Sequence, residues 1–260
     1  MRIGDTMKVI SKGCYKGSRA YNNDIIGTLD SMWYVMDGAT AVFEDNKFSD
    51  ESDVYEYMQL LNKSIKDDGE IIRSIKNAIG SVNEQLPSLN EFNEYELPIF
   101  TIAGIRQQDK KIDTYLLCDC LISILFKDGS VFNIEDTRIN ESKKECIEGK
   151  NSINSLDIGE KLKSDLLLKN EQTIRMGANK EGGYYVGSTE PKSLNQGYSH
   201  SFLTNDIARI LICSDGYSDG YGTLPSSKED FDEKVIEQRV QTILERDKRD
   251  DLSYILLEVE

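Results

Sequence analysis

Apolar positions along the chain follow two periods, one of strands and one of helices. Lys8–Ile10, Ile25–Thr28 and Met32–Met36 read as short strands. The last is an unbroken apolar run, Met-Trp-Tyr-Val-Met, as expected of a strand covered on both faces. Val54, Tyr57, Met58 and Leu61 then recur at spacings of three and four, and so do Ile71, Ile72, Ile75, Ile79 and Val82, which predicts two amphipathic helices. Pro87 and Asn90 mark a loop. Ile99–Ile105, Thr114–Cys118, Leu121–Phe126 and Val131–Ile134 read as an antiparallel meander, with Asp128-Gly129 as the turn before its last strand. Glu135–Asn154 has few apolar anchors and is expected to be a mobile excursion. A helix is expected near Ile158–Lys169, strands at Tyr184–Val186 and Ile207–Cys213, and a late helix on Phe231, Val235, Ile236, Val240, Ile243 and Leu244. Leu252–Val259 closes the chain as a strand. Strands in meanders and helices in pairs point to the α+β class. No repeat or Pro-rich linker interrupts the chain, so residues 1–260 read as one domain.

Charge narrows the function. The 260 residues include 46 acidic and 31 basic side chains, a net charge of −15. Phosphate affinity is carried by Lys and Arg, so this balance counts against nucleic acid and anionic membrane as partners. No signal peptide or membrane span is legible, and Cys14, Cys118, Cys120, Cys146 and Cys213 read as free thiols of a cytoplasmic protein. His200 is the sole histidine, which excludes HExxH zinc hydrolases and multi-histidine metal sites. Catalysis, if any, falls to carboxylates.

Those carboxylates stand at strand ends. Met32–Met36 leads into Asp37-Gly38, Ile210–Cys213 into Ser214-Asp215-Gly216, and Asp250-Asp251 precedes the last strand. Each Asp-Gly alone is an ordinary turn. Acids converging from several strands form instead an oxygen-ligand set, suited to hard cations such as Mg²⁺ or Mn²⁺.

In order along the chain, Arg19-Ala-Tyr-Asn-Asn23-Asp24, Tyr34-Val-Met-Asp37-Gly38, Leu117-Cys-Asp119-Cys, Asn179-Lys-Glu-Gly182-Gly183-Tyr184, Ile212-Cys-Ser-Asp215-Gly216-Tyr-Ser-Asp219 and Asp250-Asp-Leu-Ser253 resemble the motif series of the metal-dependent (PPM, or type 2C) serine/threonine phosphatases, in their bacterial form. The resemblance spans nearly the whole chain. It implies a four-layer α-β-β-α sandwich, in which two antiparallel sheets pack face to face between antiparallel helix pairs. It also implies two Mn²⁺ or Mg²⁺ ions at the sheet edge. Asp37 would bridge them, the Gly38 carbonyl would bind one, and Asp215 and Asp250 would complete the other. Asp24 would act through metal-bound water, and Asp119, Asp215 and Asp219 would hold a weaker third ion. Arg19 would grip the substrate phosphate, whose geometry a guanidinium fork matches. The implied reaction is hydrolysis of phosphoserine or phosphothreonine on a protein by direct attack of a metal-bridging water, by a monomer.

The chain departs from the family pattern at three places. Ala39 stands where a histidine is frequent, Cys118 replaces the glycine before Asp119, and Asn23 stands where Glu is frequent. These departures motivate an alternative, a catalytically weak or inactive phosphatase-fold module that binds partners. Gly216-Tyr-Ser218-Asp-Gly220 matches GxSxG after a strand, but a Ser218 triad needs a histidine further along the chain, and His200 precedes it. His200 itself is expected on the surface or in a loop, and Cys118 and Cys120 as packing residues. The Asp-x-Asp of haloacid dehalogenase-type phosphatases and the P-loop string are both missing.

Overall fold

The computed structural model describes residues 7–260. Its first sheet runs in the order β1 (Met7–Tyr15), β11 (Leu252–Val259), β10 (Ile207–Cys213), β6 (Leu121–Phe126) and β7 (Val131–Ile134). The second runs β2 (Asp24–Thr28), β3 (Met32–Gly38), β4 (Ile99–Gln108), β5 (Lys111–Leu117) and β9 (Tyr198–Leu203), with the short β8 (Gly187–Ser188) beside the start of β4. Every ladder within the two sheets is antiparallel.

The apolar run of β3 shows how the layers form. Successive side chains of a strand point to opposite faces. Trp33 and Val35 face the other sheet and join Ala103, Ile105, Ile122, Ile124, Ile210, Ile212 and Ile255 in the central layer. Met32, Tyr34 and Met36 face outward, against α1 (Asp53–Ser64) and α2 (Ile71–Gln85), where Tyr57, Met58, Leu61, Ile75 and Ile79 are fully buried. Beyond the first sheet, Leu211, Cys213 and Tyr254 pack on α5 (Asp215–Tyr221) and α6 (Glu233–Leu244) through Tyr217, Ile236, Val240 and Ile243. The expected order of layers, helices on sheet on sheet on helices, is the observed one.

Several expectations are corrected. Glu135–Asn154 is not an irregular excursion: Asn140–Asn154 is the helix α3, paired with α4 (Glu160–Arg175). The periodicity misses α3 because no residue of it is buried. The helix expected at Ile158–Lys169 extends to Arg175. Tyr184–Val186 makes only an isolated bridge, Tyr184 to Ala178, and the paired residues are Gly187 and Ser188. His200 lies on the surface as expected, but on strand β9, whose mostly exposed Tyr-Ser-His-Ser-Phe-Leu carries no apolar alternation. Phe231 precedes α6 in a 3₁₀ turn, where Asp230 accepts from the Ser226 and Ser227 amides and pairs with Arg239. Among the described residues no helix is long and apolar enough to cross a membrane.

Candidate active site

Antiparallel pairing gathers the motif aspartates at one end of both sheets. Asp24, which opens β2, lies directly across from Asp37 near the end of β3, and Asp37 in turn faces Thr101. In the other sheet Cys213, the end of β10, pairs with Leu121 at the start of β6 and with Tyr254 near the start of β11. The residues that follow β10, precede β6 and precede β11 therefore share one edge, and these include Asp215, Asp119 and Asp250. One hydroxyl joins the sheets there. Ser214 Oγ donates to Asp24 Oδ2 at 2.8 Å and accepts from the Ser253 amide at 3.0 Å, while the Ser214 amide donates to the Ser253 carbonyl at 3.0 Å.

The two Asp-Gly pairs are more than turns. A Cβ at Gly38 would come within 2.8 Å of Met58 Cγ, and one at Gly216 within 1.8 Å of the Asp251 carbonyl oxygen. Backbone leaves no room for a side chain at Gly216, and at Gly38 one would require Met58 to shift. Asp251, buried, accepts from the Gly17 and Asn23 amides at 2.7 Å each, which ties the loop carrying Arg19 to the start of β11. Arg19 itself is exposed, with Nη1 3.8 Å from Asp250 Oδ1.

Cys118 keeps the turn that its replacement of glycine put in question. Its φ is +66°, a left-handed conformation that costs a non-glycine residue about 1–2 kcal/mol. The Asp136 carboxylate accepts from its amide at 3.0 Å, and its side chain is buried with Ile99, Tyr184 and Val186. Cys120 packs into the central layer beside the Thr101 hydroxyl at 3.0 Å, so both cysteines serve packing, as expected. Cys118→Val, whose branched Cβ is ill suited to this φ, is expected to destabilise by about 2 kcal/mol or more in urea unfolding. Cys118→Gly should change stability by less than about 1 kcal/mol, since relieved strain offsets lost packing.

A cleft of about 280 Å³ opens at this edge, lined by Arg19, Asp37, Asp119, Arg175, Asp215 and Asp250 among others. Ala39 lies in its wall, where its methyl offers no proton. The acids crowd one another. Burial, with the nearby Asp24, Asp215, Asp119 and Asp250 charges, raises the Asp37 carboxyl well above its usual range. Burial lifts Asp24 to about 7, with Asp251 adding to the rise against hydrogen bonds from Ser253 and Ser214. Burial and then Asp119 lift Asp215 to about 7, although Lys143 opposes this.

Sequence reasoning missed three residues here. Lys143, from α3, forms ion pairs with Asp119, Asp215 and Asp219. Burial disfavours its charge, but Asp119 and Asp215 more than offset this and raise its pKa above the ordinary lysine value. Arg175, buried at the end of α4, donates to the Thr40 carbonyl at 2.7 Å and so holds the loop after Gly38. Asp251 seats the Arg19 loop. Only Asp251 carried a signal, its place beside Asp250. Lys143 comes from a helix with no apolar pattern to locate it, and Arg175 from the last turn of α4, past the expected end of that helix.

The structure agrees with the rejection of Ser218 as a nucleophile. Ser218 sits inside α5 with its hydroxyl on the Asp215 carbonyl at 3.4 Å, whereas His200 lies on β9 among the rings of Phe132 and Phe202.

The donors suit divalent ions by chemistry and by what they leave unpaired. All are oxygens, and Asp24 Oδ1 and Asn23 Oδ1 are buried at the site with no hydrogen-bond partner. Among the described residues no group of three or more His, Cys, Asp or Glu side chains is in place to hold an ion by itself. Mg²⁺ characteristically keeps several waters and takes only one or two carboxylates.

No protein-family model matches the sequence, and no curated protein matches it. Solved structures do match over the whole chain. The serine/threonine phosphatase Stp1 from Staphylococcus aureus is 15% identical at a TM-score of 0.59, with 100% of this chain and 98% of that one covered. The Mycobacterium tuberculosis serine/threonine phosphatase PstP/Ppp is 16% identical at 0.58, with 98% and 99% covered. The catalytic domain of PstP in complex with two manganese ions is 13% identical at 0.57, with 97% and 98% covered. The chain is therefore built on the fold of the bacterial PPM-type serine/threonine phosphatases, the architecture that its motif series implies.

Proposed function

We propose that the protein is a Mn²⁺- or Mg²⁺-dependent phosphatase, a single PPM-type domain that hydrolyses phosphoserine and phosphothreonine on proteins by direct attack of water. The observation that carries this reading is the convergence of Asp37, Asp119, Asp215 and Asp250 on one cleft whose rim bears Arg19. Asp37, the Gly38 carbonyl, Asp215 and Asp250 would hold two ions. When bound, these would supply the Lewis acidity that activates a water and neutralises phosphoryl oxygens. Arg19 is exposed and free to swing from Asp250 to a phosphate, for which its planar fork is shaped. Asp24, fixed by Ser214, orients water beside Asp37 and holds or releases a proton near neutrality. Arg175 keeps the cleft wall in place through Thr40. Ala39 supplies no acid, so the departing serine or threonine oxygen takes its proton from solvent in the open cleft.

The test is hydrolysis of p-nitrophenyl phosphate and of a phosphothreonine peptide with Mn²⁺, Mg²⁺ or chelator. Activity is expected with the metals and not with chelator. Arg19→Ala is expected to raise KM for the peptide about tenfold or more, the value of a lost charge-assisted bond. Turnover that persists in chelator, or in Asp215→Asn, would overturn the metal mechanism. A second reading, the inactive binding module, draws support from Ala39 and from the ion pairs of Lys143 with Asp119 and Asp215. Metal binding by calorimetry without turnover on either substrate would decide for it.

A further inference from the structure

Lys143 Nζ lies 3.0 Å from Asp119 Oδ2, 3.2 Å from Asp215 Oδ2 and 3.3 Å from Asp219 Oδ2. An ammonium has three donors; this one hydrogen-bonds to Asp215 and Asp219 and forms an ion pair with Asp119. The carboxylates come from the β5–β6 turn and from α5, whereas the cation comes from a helix with no buried residue of its own. α3 is thus tied to its surroundings by polar contacts, to α4 through Lys150–Glu171 and Asn170–Cys146 and to the sheet edge through the ammonium. The same three acids are those for which the motif resemblance implies a third, weaker ion. Oxygens about 3 Å from one nitrogen surround a space that an ion with metal–oxygen distances of about 2.1 Å could enter only by expelling the lysine.

We propose that Lys143 is the resident cation of this three-carboxylate nest, clamping the α3–α4 hairpin onto the catalytic edge and excluding a third divalent ion. The exclusion rests on the phosphatase reading; the clamp does not. Lys143 acts here as a positioning residue, since it touches the acids and not the reacting phosphate.

The test compares full-length wild type with Lys143→Gln, Lys143→Arg and the double variant Lys143→Gln/Asp219→Asn. Calorimetric titration with Mn²⁺ is expected to show one more bound ion in Lys143→Gln than in wild type. Lys143→Arg, which keeps a cation, should match wild type, and the double variant should lose the extra ion. Amide exchange across residues 140–175, measured in chelator, is expected to be about threefold faster in Lys143→Gln, because a partly exposed ion-pair network is worth roughly 1 kcal/mol or less. Equal ion counts in wild type and Lys143→Gln would overturn the exclusion, and unchanged exchange would overturn the clamp. Failure of any form to bind Mn²⁺ would overturn the phosphatase reading and the exclusion together, with the exchange result still deciding the clamp.

Discussion

Asp37→Asn is expected to reduce phosphatase turnover by about a thousandfold or more and, at the same time, to raise the melting temperature of the metal-free protein. Two opposite effects come from one atom change. Asp37 sits among Asp24, Asp119, Asp215 and Asp250, whose charges oppose its ionisation. Asparagine has nearly the same shape, brings an amide donor across from Asp24, and removes the charge. In chelator at pH 8 it should therefore raise the thermal midpoint by roughly 3–8 °C. In saturating Mn²⁺ the order should reverse, because wild type gains binding free energy that the variant lacks. Calorimetric melts with and without metal, beside the peptide assay, check both halves. A variant that melts below wild type in chelator would show that the acids are not in conflict, and full turnover would remove Asp37 from the mechanism.

Metal-free stability should fall as pH rises from about 4 to above 7. Asp24 and Asp215 are lifted to about 7 in the folded protein, from 3.8. Between these values the folded chain binds more protons than the unfolded one, so each pH increment favours unfolding, by up to about 1.4 kcal/mol per unit for each proton retained. The stabilising contribution is complete below about pH 4 and lost on passing 7. Saturating Mn²⁺ takes the place of those protons and should flatten or reverse the slope. Urea unfolding at pH 5, 6, 7 and 8, in chelator and in Mn²⁺, measures this. A metal-free protein as stable at pH 8 as at pH 5 would contradict the crowding of the acids. Proton release on Mn²⁺ binding at pH 7, read by calorimetry in buffers of different ionisation enthalpy, is an independent check.

What was legible in the chain tracks what is buried. The Met32–Met36 run foretold a strand between two layers, and its alternate residues do face sheet and helices. The spacing in α1 and α2 marks the residues that lie on the outward face of the second sheet. α3 and β9 escaped the hydrophobic pattern because they bury almost nothing, and α4 was found only in part, its last turn running past the expected end: α3 is held by Lys143 and its pairing with α4, β9 by backbone hydrogen bonds along β5. Elements held by charge and by backbone leave no hydrophobic period to read. Cys118 shows a different gap. The sequence marks a substitution for glycine, but only the φ of +66° reveals that the turn survives it.

By itself the sequence determined the acidic balance, the lone histidine and hence an oxygen-only chemistry, together with the order of Asp24, Asp37, Asp119, Asp215 and Asp250 at strand ends. Those properties are local to the chain, since composition and strand periodicity need no partner. Only the tertiary structure decided that Ser214 ties the two sheets at Asp24, that Asp251 seats the Arg19 loop, and that a lysine on α3 fills the space between Asp119, Asp215 and Asp219. Each of these contacts joins residues far apart along the chain, Lys143 and Asp215 by 72 positions and Ser214 and Asp24 by 190. Folding alone brings them within hydrogen-bonding reach, because the antiparallel register sends the ends of both sheets to one edge.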